Sequence, residues 1–396
     1  MNFSKKNLKL STFDVKRSNP IRNKVSLNLS RILILTLIFN TFIVSANDTH
    51  PKKKNTIKVA LLLDTSNSMD GLINQAKSQL WEIVNELSYA KCENQNPDLL
   101  IAVYEYGNDN LSSYEGYIRQ VIGFSSDLDE ISEKLFSLNT NGGSEFCGEV
   151  IQTSLKQLDW GTNKNDLKLI FIAGNEAFTQ GKVNYKDATT QANEQNVTVN
   201  TIFCGNYQNG VSGKWQDGAR TTNGDYMVID HNETIVHIAS PYDNLIIKLN
   251  NQLNKTYIYY GNNGRNKMRL QATQDSNASQ LDEVVIVKRA VSKSSRIYKN
   301  SSWDLVDAEK ESGFSYSKLE KKNLPKHLQG KSSEEIKKYV AQERKKRKEI
   351  RLKINDLNTK RNTYVAKQRK DKNTKSIDKA MISAIKKQAK QKNYTW

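Results

Sequence analysis

A cluster of oxygen-bearing side chains follows the first strongly apolar segment after residue 54. Residues 57–63 (IKVALLL) are followed directly by Asp64-Thr65-Ser66-Asn67-Ser68, in which a carboxylate and two hydroxyls stand at alternate positions. Such oxygens are the ligands that hard cations prefer. Asp64, Ser66 and Ser68 are therefore candidate ligands of a divalent cation. The alternative is that Asp64 caps the next helix and that the hydroxyls satisfy loop amides.

The elements that must position this cluster alternate between short apolar strands and amphipathic helices. Predicted strands cover 57–63, 99–106, 117–124, 167–173, 197–204 and 226–229, and predicted helices cover 72–90, 128–138, 148–158, 185–194 and 242–253. The predicted fold class is α/β, with a doubly wound, mostly parallel sheet followed by a helical, basic C-terminal region. Ligands of open parallel sheets bind beyond the carboxyl ends of the strands, where the cluster lies.

The cluster, placed between a buried strand and an amphipathic helix, resembles the D-x-S-x-S motif of the von Willebrand factor type A domain. The resemblance covers residues 57–259 and implies a Rossmann-like fold with a metal-ion-dependent adhesion site. In that family the site holds Mg²⁺ or Mn²⁺, and a carboxylate of a protein partner completes the coordination. Asp64, Ser66 and Ser68 match the first loop, and Ser144 of Gly142-Gly143-Ser144 supplies the hydroxyl of the second.

The third loop departs from the family pattern. An Asp-Gly pair is expected there, but this chain has Ala173-Gly174-Asn175-Glu176. One anionic group is missing, so metal binding should be weaker unless Glu176 or Glu145 replaces it. The predicted metal set is Asp64, Ser66, Ser68, Ser144 and Glu176.

Charge and composition divide the chain into segments. The net charge is +18, but residues 55–287 carry −11 and residues 288–396 carry +20. The predicted organisation is a signal peptide with a long basic n-region (1–46), a type A domain (55–260), a helical or irregular extension (261–330) and a charged helical tail (331–396). The region after Tyr260 is loosely similar to exported bacterial type A proteins.

An apolar run of 13 residues, 32–44, follows Lys24 and Arg31 and precedes the small residues Ser45 and Ala46. A run of this length is short for a membrane span and typical of a secretory signal. We therefore expect export to the periplasm, the cell surface or the medium. An uncleaved N-terminal anchor is the alternative, because the stretch before the run is long for a signal.

The tail is predicted to form a long helix that begins with a capping box of Ser332 and Glu335. One heptad seam contains Ile336, Val340, Ile350, Ile354, Leu357 and Tyr364, interrupted by Glu343, Arg347 and Arg361. Charges in the seam allow a weak coiled coil at best, and packing against the domain or a partner is preferred. A shorter helix at 377–389 should place Met381, Ile382 and Ile385 inward.

Three cysteines are placed by topology. Cys92 should lie at the end of the sheet opposite the ligand site, whereas Cys147 and Cys204 should lie on the ligand side. Any disulfide in an oxidising compartment is therefore expected between Cys147 and Cys204. The alternative is three buried thiols.

No phosphate-binding glycine loop or nucleophile elbow is present, and the four histidines are not spaced as zinc ligands. We therefore expect a binding protein and not an enzyme. The acidic domain should present a metal-assisted or metal-free face to a protein ligand, while the tail holds a second partner or an envelope surface. The alternatives are binding of nucleic acid or another anionic surface through the tail, and an accessory subunit of an ATPase or assembly complex.

Overall fold

A six-stranded sheet forms the centre of the α/β part of the chain in the computed structural model, which describes residues 54–229, 238–368 and 377–396. The strands are β1 (Thr56–Asp64), β2 (Lys91–Cys92), β3 (Asp98–Tyr106), β4 (Ile118–Ser125), β5 (Leu167–Gly174), β6 (Thr198–Cys204), β7 (Tyr226–Ile229) and β8 (Tyr394–Thr395). The large sheet has the order β4-β3-β1-β5-β6-β7, and only β4 is antiparallel to its neighbour. β2 and β8 form a separate antiparallel pair.

Helices cover both faces of this sheet, and others follow it in the chain. They are α1 (Asp70–Ser88), α2 (Leu128–Phe136), α3 (Cys147–Gln157), α4 (Tyr185–Glu194), α5 (Tyr207–Ser212), α6 (Trp215–Arg220), α7 (Asp243–Asn254), α8 (Gly264–Leu281), α9 (Glu283–Ser294), α10 (Leu305–Ala308), α11 (Lys326–Gln329), α12 (Ser333–Gln368) and α13 (Ile377–Lys390). The α/β fold with a mostly parallel central sheet and a helical C-terminal region is confirmed.

Alternate residues of β1 enter two different apolar cores, because successive side chains of a strand point to opposite faces. Leu61 and Leu63 pack in the first core with α1, α2, α7, α9 and α13. Ala60 and Leu62 pack in the second core with α3 and α4. Every residue of β1 after Thr56 is buried, which explains why residues 59–63 of this strand are continuously apolar.

The long helix α12 packs back onto its own chain. Ile336 and Val340 enter a third apolar core with residues of the 258–328 segment, and Ile354 enters the first. The charged residues of the seam are also buried: Arg347 pairs with Asp304 at 2.6 Å, and Arg361 pairs with Asp243 at 2.8 Å. Most of the seam therefore packs against the same chain, which is the arrangement that was preferred to a weak coiled coil.

The last helix and strand complete the first core. α13 packs against α1, and its Met381 and Ile385 are buried as predicted, whereas Ile382 is only half-buried. Tyr394 of β8 pairs with Cys92 of β2, and its hydroxyl donates to the carbonyl of Asn165 at 3.1 Å. The capping box of α12 is present, with Ser332 N donating to Glu335 Oε2 at 2.7 Å and Glu335 N donating to Ser332 Oγ at 3.2 Å.

Some elements differ from the expectations. The segment 205–225, which lies between two predicted strands and for which no element was predicted, contains the short helices α5 and α6. Helices α8 and α9 are separate elements, because Asp282 between them is extended and caps α9 by accepting from Val284 N at 2.7 Å. Helix α8 lies in the segment 261–330, which was predicted only as helical or irregular, and its buried side chains include Gln271 and Gln274.

The predicted disulfide between Cys147 and Cys204 is wrong. All three cysteines are buried thiols. Cys204 lies in the first core and Cys147 in the second, so the sheet separates them. Cys92 lies at the other end of the sheet beside Tyr394, as expected.

No helix within the described ranges is long and apolar enough to cross a membrane. The predicted signal segment 1–46 lies outside those ranges, as do three of the histidines, at positions 50, 231 and 237. All described residues belong to one compact unit, Lys53–Trp396.

Candidate functional site

Four loops meet at the carboxyl end of the sheet, and we call this surface the crest. They are residues 64–70 after β1, 107–117 after β3, 139–146 before α3 and 174–180 after β5. Backbone hydrogen bonds join the first three: Asn67 N donates to Gly142 O at 3.0 Å, Asn141 N to Thr65 O at 2.9 Å, and Asp109 N to Asn141 O at 3.1 Å. The crest is therefore held by backbone contacts before any side chain contributes.

Asp64 lies at the centre of the crest and is completely buried. Its Oδ1 accepts a hydrogen bond from Ser66 N at 2.7 Å, which is the local turn that the short Asp side chain allows. Its Oδ2 has no hydrogen-bond donor among the described residues. A buried carboxylate oxygen without a donor is costly, so this atom calls for a proton or a cation.

Glu145 is the second carboxylate at the centre. It is buried, its side chain is in hydrogen-bonding range of Asp64 and of the Ser66 hydroxyl, and its Oε2 accepts from Glu176 N at 3.3 Å. Two ionised carboxylates offer each other only acceptors. The pair therefore needs either one shared proton or a positive ion.

Two glycines allow this close approach. Gly107 has φ of +79°, and a Cβ atom there would lie 2.8 Å from Asp64 Oδ1 and 2.9 Å from Glu145 Cγ. At Gly174 a Cβ atom would lie 2.6 Å from the Tyr106 hydroxyl and 3.1 Å from Asp64 Oδ2. Any other residue at either position would push the backbone away from the carboxyl pair.

The hydroxyls of the first loop continue the cluster towards solvent. Ser66 Oγ lies 3.3 Å from Ser68 Oγ, and Asn175 Nδ2 donates to Ser68 Oγ at 3.1 Å. Asn175 Oδ1 is buried and has no hydrogen-bond donor among the described residues. Asn175 therefore brings a side chain of the third loop to the site, two residues after Ala173, where the family pattern expects the aspartate. Sequence reasoning did not assign it a role.

The remaining predicted ligands are close to the cluster but differ in orientation. Ser144 directly precedes Glu145 and is half-buried, and its hydroxyl has no hydrogen-bond partner in the described part of the chain. Glu176 is exposed, and its carboxylate accepts from Gln180 Nε2 at 3.2 Å. Of the two acidic replacements considered, Glu145 reaches Asp64, whereas Glu176 contributes a backbone N–H.

The electrostatics of the site favour added positive charge. Burial and the neighbouring Glu145 raise the pKa of Asp64 well above its ordinary value, and burial also raises the pKa of Glu145. Beneath the pair, Tyr106 is fully buried and donates to Ala173 O at 3.0 Å, and burial raises its pKa as well. The acidic residues Asp70 and Asp109 are exposed on the same surface.

The donor set suits a hard divalent cation. Two carboxylates, two or three hydroxyls and one amide oxygen are oxygen ligands of the kind that Mg²⁺ and Mn²⁺ take. The described residues contain no group of three or more His, Cys, Asp or Glu side chains arranged to hold a metal. A cation here would thus depend on the hydroxyl and amide oxygens in addition to the carboxyl pair.

Comparison with known proteins matches part of the chain to one family. Residues 58–234 match the family model of the von Willebrand factor type A domain. No curated protein matches the chain.

The chain is also similar to several solved structures. They include the conserved hypothetical protein BatB from Bacteroides thetaiotaomicron (15% identity, 44% of this chain and 90% of that chain, TM-score 0.34), the SpRpn10 VWA domain (16%, 44% and 88%, TM-score 0.35), and an aerotolerance-related membrane protein from Bacteroides fragilis (16%, 44% and 92%, TM-score 0.29). Similarity at this level does not reveal what this chain binds.

Proposed function

Because residues 58–234 form a von Willebrand factor type A domain, we propose that this protein is a binding module and not an enzyme, and that its crest captures a protein ligand with the help of a divalent cation. The observation that carries the proposal is the buried Asp64–Glu145 pair, which faces a row of hydroxyls and has an oxygen without a donor.

Asp64, Ser66 and Ser68 would hold the cation, and Glu145 supplies the negative charge that the third loop lacks. Asn175 Oδ1 and the Ser144 hydroxyl are further crest oxygens that no donor in the described part of the chain engages. Bound Mg²⁺ or Mn²⁺ would offer an open coordination position to a carboxylate of the partner. The hydrogen-bonded loops keep these oxygens in place, so little reorganisation accompanies binding.

Chemistry of the site also argues for binding over catalysis. The central groups are acidic, hydroxylic and amidic, and the Cys147 thiol below them is buried, which raises its pKa and keeps it protonated. The described crest therefore lacks an ionised nucleophile paired with a base. We further propose that the protein acts outside the cytoplasm, supported by the apolar run at 32–44 and its flanking residues.

Mn²⁺ binding tests the metal part of this proposal. The full chain should quench the electron paramagnetic resonance signal of free Mn²⁺ with one site, and Asp64→Ala should abolish that site. Asp70→Asn is the matched control, because Asp70 is exposed on the same loop and hydrogen-bonds to Thr140 outside the carboxyl pair. Equal binding by the wild type and Asp64→Ala would refute the site.

Ligand capture tests the binding part. A peptide library displayed on beads should yield carboxylate-containing ligands whose retention requires Mg²⁺ and Asp64. Ligands retained equally in chelator and by Asp64→Ala would show that the crest binds without a metal. No enrichment of any peptide over beads alone would contradict the assignment of a binding role to the crest.

A further inference from the structure

The outward face of α12 carries a row of lysines that the fold does not use. Six exposed lysines of α12 form no ion pair with the described residues. They are Lys337, Lys338, Lys345, Lys348, Lys353 and Lys367. They extend over most of a helix of 36 residues, which is about 54 Å long. We call this surface the lysine row.

The fold separates the two kinds of cation on this helix. Arg347 and Arg361 point inward and pair with buried carboxylates, and Arg344 pairs with Glu309. Their planar guanidinium groups make directed, multiple hydrogen bonds: Arg347 alone bonds to Asp304 and to both Thr256 Oγ1 and Thr256 O. The outward cations are lysines, which act as point charges without a fixed geometry.

An exposed leucine lies within the lysine row. Leu352 is 60% exposed and stands one turn after Lys348 and beside Lys353 in the sequence. The exposed acid in this stretch that forms no ion pair is Glu349, so the surface between 345 and 353 remains strongly positive. The outward face of α12 is thus long and positively charged, with the apolar side chain of Leu352 near its centre. Such a face is complementary to a flat, negatively charged surface that has an apolar layer below it.

We propose that the lysine row binds an anionic phospholipid surface. Each lysine near such a surface contributes about 1 kcal/mol, and Leu352 would enter the interface between headgroups and acyl chains. Single-stranded nucleic acid fits this face less well, because stacking on bases needs exposed aromatic rings. Tyr339 packs against the third core and the His327 ring, and Tyr364 is half-buried. Duplex DNA would engage the lysines through its phosphates but offers no apolar layer for Leu352. The proposal does not depend on the function of the crest.

Sedimentation with vesicles tests the lysine row in the full chain. The probes are vesicles of phosphatidylcholine alone and of phosphatidylcholine mixed with phosphatidylglycerol, at low and high salt. Binding should require phosphatidylglycerol and should weaken with salt, because surface charges are screened. The triple variant Lys345→Glu, Lys348→Glu, Lys353→Glu should lower the partition coefficient about a hundredfold, from about 1 kcal/mol per lysine.

The matched control reverses three exposed lysines on the opposite face of the sheet, Lys156, Lys182 and Lys186. It changes the net charge equally and should retain most of the binding. Leu352→Ser should reduce binding to the mixed vesicles without changing its salt dependence. Thermal unfolding of each variant establishes that it is folded.

Three results would overturn the proposal. They are equal binding to vesicles with and without phosphatidylglycerol, equal losses in the two triple variants, and displacement of the vesicles by random-sequence duplex DNA at matched phosphate concentration. The last result would assign the lysine row to nucleic acid.

Discussion

Replacing Asp64 by Asn is expected to stabilise the metal-free protein and to remove its response to divalent cations. The Asp64 carboxyl is completely buried, and its Oδ2 has no donor in the described structure, whereas Oδ1 accepts from Ser66 N. A buried acceptor without a partner costs about 1–3 kcal/mol. An amide keeps the acceptor for Ser66 and adds a donor towards Glu145, so the free energy of unfolding should rise by about 1–3 kcal/mol at neutral pH.

The size of this gain should depend on pH. Burial and Glu145 raise the pKa of Asp64 above its ordinary value, so the folded protein keeps a proton over a pH range in which the unfolded chain has lost it. Stability from this group is fully present below the pKa of the unfolded chain, about 4, and is lost as the pH rises through the raised pKa of the folded state. Asparagine does not titrate. The advantage of the variant should thus be smallest in acid and should grow towards neutral pH.

Urea unfolding followed by tryptophan fluorescence measures both effects. Wild type should gain about 2.7 kcal/mol when MnCl₂ is present at a hundred times its dissociation constant, whereas Asp64→Asn should gain nothing. Asp70→Asn should behave like the wild type. The reasoning fails if the variant unfolds at lower urea than the wild type in metal-free neutral buffer, or if Mn²⁺ stabilises both proteins equally.

Further predictions concern the described core. Arg347→Ala should lower the free energy of unfolding by about 3–5 kcal/mol in urea titrations, because it leaves the Asp304 carboxylate buried without its partner. Adding Asp304→Asn should recover part of this loss, because the amide removes the unpaired charge and keeps an acceptor for the buried Ile258 N–H. Burial lowers the pKa of Lys293 to about 8. Between pH 8 and the ordinary pKa of 10.5, Lys293 is protonated in the unfolded chain but not in the folded protein. The free energy of unfolding of the wild type should therefore rise relative to that of Lys293→Met as the pH increases through this window. A difference that does not change with pH would refute the lowered pKa of Lys293. The three thiols should resist alkylation until the protein is unfolded, and non-reducing mass spectrometry should find no disulfide.

The strands and the position of the site could be predicted because the physical signals there are local. β1 after Thr56 and the whole of β5 are buried, so both sequences are predominantly apolar, with continuous apolar runs at 59–63 and 169–173. Since parallel strands end at one edge, oxygen-bearing residues directly after β1 had to face the crest. The same logic did not reveal which of two nearby carboxylates turns inward, because Glu145 and Glu176 are both loop residues with no periodic constraint.

The errors came from relations that a single sequence does not encode directly. The disulfide prediction used only the end of the sheet at which Cys147 and Cys204 were expected. It did not take into account that their side chains lie on opposite faces of the sheet. Helix α8 lacks an apolar stripe because Asp275 receives Arg289 and Lys293 from α9. In α12 the charges that interrupt the heptad seam are buried partners of distant carboxylates and not defects in a dimer interface.

Contacts between the two ends of the described chain also constrain how it is made. The Tyr394 hydroxyl reaches the carbonyl of Thr56 at 3.5 Å, and Met381 and Ile385 pack in the same core as Leu61. The contacting segments are more than three hundred residues apart along the chain. This core therefore cannot close until nearly all of the described chain has been synthesised. Contacts so distant along the chain slow folding, so the first core should be completed only after the last helix and strand have been synthesised.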